Sequence, residues 1–261
     1  MSLLDKMVLP LERLAIVIGT RWNRATRWRE RISGQWERTL HSPMEWLSLY
    51  ALLLLLLGLT VLDEPLARLC KETVSGEFEG FLKVVTDLGI AGLWLIPSIL
   101  LCLLFLLCRR VALSPAGREH YTRLAWAPGF VFLSVAVSGL IGDILKFVVG
   151  RTRPQLLFEQ DLATFEPFTH GWAYNSFPSG HSQAIFAAMV ALTLVFPRYD
   201  RAYLALAVLV AASRVLTTVH YFSDVVAGAW LGIFVTLALA RVLAMHGIPV
   251  RYQRPGMGGT W

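Results

Sequence analysis

Uncharged apolar stretches recur along this chain, separated by short polar breaks. Leu47–Leu62, Gly89–Cys108 and Leu124–Gly142 carry no charge, and each comes near the roughly 20 apolar residues that cross a bilayer. Ser182–Phe196, Ala202–Val219 and Val225–Ala240 follow, and these are shorter or interrupted. They reach across only if the polar residues at their ends lie at the water interface. The pattern predicts an all-α fold, a bundle of six transmembrane helices over residues 44–246. Within it, the segment EFEGFLKVVTDL at 77–88 puts Phe78, Phe81, Leu82, Val85 and Leu88 at helical spacing. That spacing predicts a short amphipathic helix on the outer face.

Composition agrees with the pattern. Only 16% of the 261 residues are charged, against about 25% in a soluble domain. The early apolar run is broken by Pro10, Glu12 and Arg13 and leads to no small-residue cleavage site, so a cleavable signal peptide is not expected. Residues 1–43 mix Trp22, Trp28 and Trp36 with many arginines. Two readings fit them: an amphipathic segment on an anionic cytoplasmic leaflet, or a basic tail. Residues 247–261 read as a cytoplasmic tail. Cys70, Cys102 and Cys108 form no CxxC pair, so neither a disulfide framework nor a zinc site is expected. No nucleic-acid motif occurs, and the net charge of +6 reads as membrane topology.

Six spans would put 17 of the 24 Lys and Arg residues on one face, with both termini. Basic residues in short loops stay cytoplasmic. The other face, periplasmic if the source is a bacterium, would hold Arg68, Lys71, Lys83, Lys146, Arg151, Arg153 and Arg214. It would also hold the loop 150–180, long for a connection without a function and rich in aromatic rings.

The polar residues that shorten the later helices all fall at that outer end. Lys146 closes the third span, and Arg153 follows. Ser179, Gly180 and His181 open the fourth, and Arg214 lies near the end of the fifth. His220 and Asp224 bracket the turn into the sixth. Singly, each has an ordinary structural explanation. Lys146 and Arg153 are snorkelling charges, with Asp143 one turn before Lys146; Ser179 is a helix cap; His181 is an interfacial histidine; Arg214 and Asp224 are an ion pair. Together, on the face that basic residues avoid, they read as one site, because ionisable groups at membrane depth mark function or pair with each other.

The chemistry suits a phosphate monoester or diphosphate. Arginine offers forked donors to phosphate oxygens and lysine a point charge. A helix beginning at Ser179–Gly180 adds backbone N–H groups and the positive end of its dipole, and glycine admits close approach. One histidine can attack phosphorus and another can protonate the leaving oxygen.

The spacing of these residues is that of a known family. KFVVGRTRP (146–154) matches K-x6-R-P, PSGH (178–181) the second element, and SRVLTTVHYFSD (213–224) S-R-x5-H-x3-D. In order and unbroken, they resemble the three signature motifs of the type 2 phosphatidic acid phosphatase superfamily. The resemblance implies His220 as the nucleophile that forms a phosphohistidine, Asp224 as its orienting carboxylate and His181 as the general acid. It implies Lys146, Arg153, Ser179, Gly180 and Arg214 as the phosphate cradle, with no metal and no cofactor.

The leading expectation is an integral membrane phosphatase acting on a lipid phosphate at the outer leaflet of a bacterial inner membrane. Undecaprenyl diphosphate stands first as a housekeeping need, beside phosphatidylglycerol phosphate, phosphatidic acid and lipid A phosphates. A lipid-to-lipid phosphotransferase would use the same site and differ only in its acceptor. A transporter would need polar residues along the middle of several helices, whereas here they gather at one end. The oligomeric state is not legible.

Overall fold

A computed structural model describes residues 43–248. The expected basic segment 1–43 and tail 247–261 therefore fall almost wholly outside the described residues. By its internal contacts the chain divides into Met1–Leu47 and Ser48–Trp261, and every residue of the candidate site belongs to the second unit.

Nine α-helices occur among the described residues: α1 Pro43–Leu57, α2 Asp63–Thr73, α3 Gly76–Asp87, α4 Ala91–Val111, α5 Pro115–Val149, α6 Pro154–Gln160, α7 Gly180–Val195, α8 Asp200–Leu216 and α9 Phe222–Met245. A π-helical turn, Gly58–Leu62, joins α1 to α2 without a break. Helix α3 matches the amphipathic segment expected at 77–88; the Ser75 side chain accepts from Phe78 N and caps it. Among the described residues, four helical stretches are long and apolar enough to cross a membrane: 44–73, 76–111, 115–149 and 222–245. Helices α7 and α8, with 16 and 17 residues, are shorter, and the chain bends by 119° between them. Counted as one broken span, they bring the number to five. They are short because each gives one polar end to the candidate site.

Helix α7 lies at the centre. Ala184, Ile185, Ala187, Ala188, Met189 and Ala191 are all at most 2% exposed, so the helix is covered on every side, as its unbroken apolar run requires. Its closest partner is α9. A Cβ on Gly228 would sit 2.4 Å from the Ser179 carbonyl oxygen, and one on Gly232 2.4 Å from that of Gln183. The glycines thus let the two backbones touch and fix the height of the α7 N-terminus against α9. Gly150 has a different task. It ends α5 in the left-handed conformation, φ 59°, with its N–H on the Lys146 carbonyl. A Cβ there would meet the Glu166 carbonyl at 1.7 Å, so the chain leaves α5 directly beneath the 160s loop.

Candidate active site

After Gly150 the chain is extended. Arg151 bridges Phe165, Thr152 N–H donates to Thr164 O at 3.0 Å, and Arg153 N–H to Ala173 O at 2.9 Å. Side chains two residues apart in an extended segment share a face, so Arg151 and Arg153 both turn toward the start of α9.

Arg153 is held by three carbonyls: Nε donates to Trp172 O at 2.9 Å, Nη1 to Val219 O at 3.2 Å and Nη2 to Asn175 O at 3.3 Å. Its guanidinium lies over the Trp172 ring at 4.2 Å. Burial lowers its pKa to about 10, with Asp224 opposing, so it remains cationic at neutral pH. Lys146, in the last turn of α5, pairs with Asp143 at 2.9 Å. Its Nζ also lies 3.1 Å from where a Gly180 Cβ would stand, which places the ammonium directly over the start of α7.

Ser179 occupies the N-cap position of α7, but its hydroxyl caps no backbone N–H. It accepts instead from Ser182 Oγ at 3.1 Å, and Ser179 N–H donates to the Asp224 carbonyl at 2.9 Å. The first N–H groups of α7 are therefore left without a side-chain cap, as an anion site requires. His181 packs on the α3–α4 turn, where a Cβ on Gly89 would lie 2.9 Å from its own. It lies within electrostatic reach of Arg214, His220, Arg153 and Lys146. Arg214, in the last turn of α8, donates from Nη1 to Thr86 Oγ1 of α3 at 3.0 Å. Its Nε is buried and has no partner among the described residues.

The turn from α8 to α9 carries Thr218 at φ 52°, a strained conformation for a β-branched residue. Val219 and His220 both donate their N–H to the Arg214 carbonyl, each at 3.2 Å. The turn delivers His220 inward, 3% exposed. Its Nε2 lies 3.4 Å from Arg153 Nη1. A guanidinium can only donate, so Nε2 is the unprotonated nitrogen and Nδ1 carries the hydrogen. Nδ1 lies 3.5 Å from Ser176 Oγ and 3.7 Å from Asp224 Oδ2. Burial lowers the pKa of His220 to about 4, with Arg153 and Arg214 acting in the same direction and Asp224 against. At neutral pH the ring is uncharged with a lone pair on Nε2, the form a nucleophile needs.

Asp224 is fully buried. Its Oδ2 accepts from Tyr221 N at 2.9 Å and Ser176 Oγ at 2.6 Å, and its Oδ1 from Arg151 Nη1 at 2.6 Å. Arg151 also reaches Asp63 Oδ2 through Nη2 at 2.7 Å. Burial works against the charge on Arg151, but Asp224 and Asp63 outweigh it and hold its pKa above the ordinary value. Arg151, Asp63, Ser176 and Thr86 were not among the expected site residues. Arg151 had a signal, two positions from Arg153; Asp63 is an acid directly after an apolar run; Ser176 and Thr86 had none.

All eight expected residues thus come together where the ends of α5 and α8 meet the starts of α7 and α9. Among the described residues no three His, Cys, Asp or Glu side chains gather as a metal site. The donor set is cationic and suits a multiply charged oxyanion.

Known proteins resemble this chain in sequence and in fold. The pattern of the PAP2 superfamily matches residues 127–248. A lipid A 1-phosphatase of Rhizobium johnstonii is 38% identical over 48% of this chain and 51% of its own. Another, of Rhizobium etli, is 35% identical over 55% of this chain and 67% of its own. The chain thus spans between half and two thirds of the length of these relatives. A crystal structure of a transmembrane PAP2-type phosphatidylglycerolphosphate phosphatase from Bacillus subtilis superimposes with a TM-score of 0.56. It covers 77% of this chain and 96% of that one at 21% identity, a likeness of fold.

Proposed function

The chain belongs to the PAP2 superfamily, and from that premise we propose that it hydrolyses a membrane lipid phosphate through a phosphohistidine on His220. The observation that carries this is the polarity of the His220 ring, with its Nε2 lone pair toward Arg153 and its Nδ1 hydrogen toward Asp224. In the first step Nε2 bonds to phosphorus and the ester or anhydride P–O bond breaks, with His181 giving its proton to the leaving oxygen. Lys146, Arg153, Arg214 and the first N–H groups of α7, at Gly180 beside Ser179, hold the phosphoryl oxygens as charge builds on them. Asp224 supports the ring once it is cationic, as the aspartate of a serine-protease triad does. Water, deprotonated by His181, then attacks phosphorus and the N–P bond breaks. Inorganic phosphate leaves and His220 is neutral again.

The site lies at one end of the bundle, and this supports six passes. Helix α7 starts there and α8 ends there, so the bent pair goes out and returns. The excess of basic residues on the termini and the opposite loops supports placing the site outside, in the periplasm, with α3 beside it. Among lipid phosphates, the names of the two Rhizobium proteins favour the phosphate of lipid A over undecaprenyl diphosphate, phosphatidylglycerol phosphate and phosphatidic acid. The test is phosphate release by the purified protein in detergent from those four lipids, compared by kcat/KM and repeated with His220→Ala. Lipid A should give the highest kcat/KM, and His220→Ala should release none. No phosphate release from any single lipid, with the phosphoryl group passing instead to an added acceptor lipid, would replace hydrolysis by phosphotransfer.

A further inference from the structure

We propose that Asp63 and Arg151 are a positioning pair that sets how much negative charge Asp224 presents to His220. The inference rests on His220 being the nucleophile. Asp63 lies outside the three motifs and outside the matched segment 127–248, in a helix that the site chemistry does not otherwise use. It follows immediately on the π-helical turn Gly58–Leu62, which adds a residue to the turn and re-aims what comes next. A Cβ on Gly58 would lie 2.8 Å from Ser223 Cβ, so the first span is seated against the start of α9. Asp63, 4% exposed, has both oxygens engaged there. Oδ1 accepts from Ser223 N at 2.9 Å; Oδ2 accepts from Ser223 Oγ and from Arg151 Nη2 at 2.7 Å.

Arg151 is the link. Its Nη1 donates to Asp224 Oδ1 and to Ser223 Oγ, each at 2.6 Å, and its guanidinium lies 4.3 Å from the Tyr221 ring centre. The two ends of one guanidinium thus hold two buried carboxylates, and the three groups sum to a single negative charge. An arginine paired with Asp224 alone would cancel that carboxylate. When phosphorus bonds to Nε2 the ring keeps its Nδ1 hydrogen and becomes cationic, and the charge it meets is that of Asp224. Asp63 shares the guanidinium, so Asp224 stays anionic in effect at low dielectric, where the difference counts most. No proton moves between these groups; the pair acts through Asp224.

The experiment uses the full-length protein in detergent and the fastest substrate of the four-lipid panel. Four variants are compared with wild type: Asp63→Asn, Asp63→Glu, the double variant Asp63→Asn/Arg151→Gln, and His220→Ala. Asp63→Asn should lose roughly tenfold or more in kcat with KM within about threefold, the scale on which supporting groups act. The double variant restores the single negative charge and should turn over faster than Asp63→Asn. A double variant slower than Asp63→Asn, or wild-type kcat in Asp63→Asn, overturns the proposal. If Asp63→Asn does not purify as a monodisperse species, Asp63→Glu and the double variant carry the test. Both keep the net charge and should hold kcat within about tenfold of wild type, and a larger loss in both overturns it. Turnover by His220→Ala would instead sink the nucleophile on which the inference stands. An inactive His220→Ala beside a fully active Asp63→Asn would sink the inference alone.

Discussion

Two buried arginines, Arg151 and Arg214, are treated in opposite ways. Arg151 has a carboxylate on each side and an aromatic ring beneath it. Arg214 is as deeply buried, yet it has one hydroxyl partner and an Nε with none among the described residues. The first environment is saturated and the second is short of negative charge. Burying a cation without an anion is costly, so on the proposed function the open side is completed by the anion that arrives with the substrate. The contrast separates a charge network closed within the protein from one left open toward the site.

The largest effect should come from breaking the saturated side. Arg151→Gln leaves Asp63 and Asp224 buried without their shared cation, and should lower unfolding stability by about 3–5 kcal/mol. Chemical denaturation in detergent reads this. On the open side, Arg214→Gln should leave stability unchanged or higher while kcat/KM falls on the order of 10²–10³-fold, the usual cost of a lost transition-state donor. Equal stability losses in the two variants would erase the distinction. Gly228→Ala sharpens it without touching a charge. The new methyl pushes on the Ser179 carbonyl and should displace the α7 N-terminus, and a shift on the order of 1 Å costs about 10²-fold in turnover. The smallest effect is on pH. Burial, aided by Arg153 and Arg214, holds the His220 pKa at about 4 against Asp224. The reactive neutral ring therefore persists as pH falls, and the acid limb of kcat/KM due to His220 lies near pH 4 rather than about 6.5. Arg153→Gln removes a charge that opposes protonation and moves that limb upward.

Much of this site is legible in the chain because its residues sit at fixed spacings around helix ends. Lys146 and Arg153 flank the exit from α5, Arg214 and Asp224 bracket one turn, and the run from Ser182 marks the central helix. The sequence cannot show what arrives from far along the chain. Asp63 lies 160 positions from Ser223, and nothing in its neighbourhood tells an acid bound to α9 from one at a membrane surface. Segment 77–88 reads as an amphipathic helix, and it is one, but its apolar spacing does not reveal that Thr86 meets Arg214. Ser179 carries the signature of a helix cap, and only the three-dimensional arrangement shows its hydroxyl turned to Ser182 and the helix end left open. The length rule does not count α7 and α8 as separate spans, and polar residues stand at the ends these helices give to the site.

The covalent intermediate tests the central claim most directly. Rapid acid-free quenching of the wild-type protein with a phosphate-labelled lipid should trap a label that is stable in base, lost in acid and carried by the peptide containing His220. His220→Ala should trap none and release no phosphate. A label on another residue, or phosphate release by His220→Ala at the wild-type rate, would contradict the account.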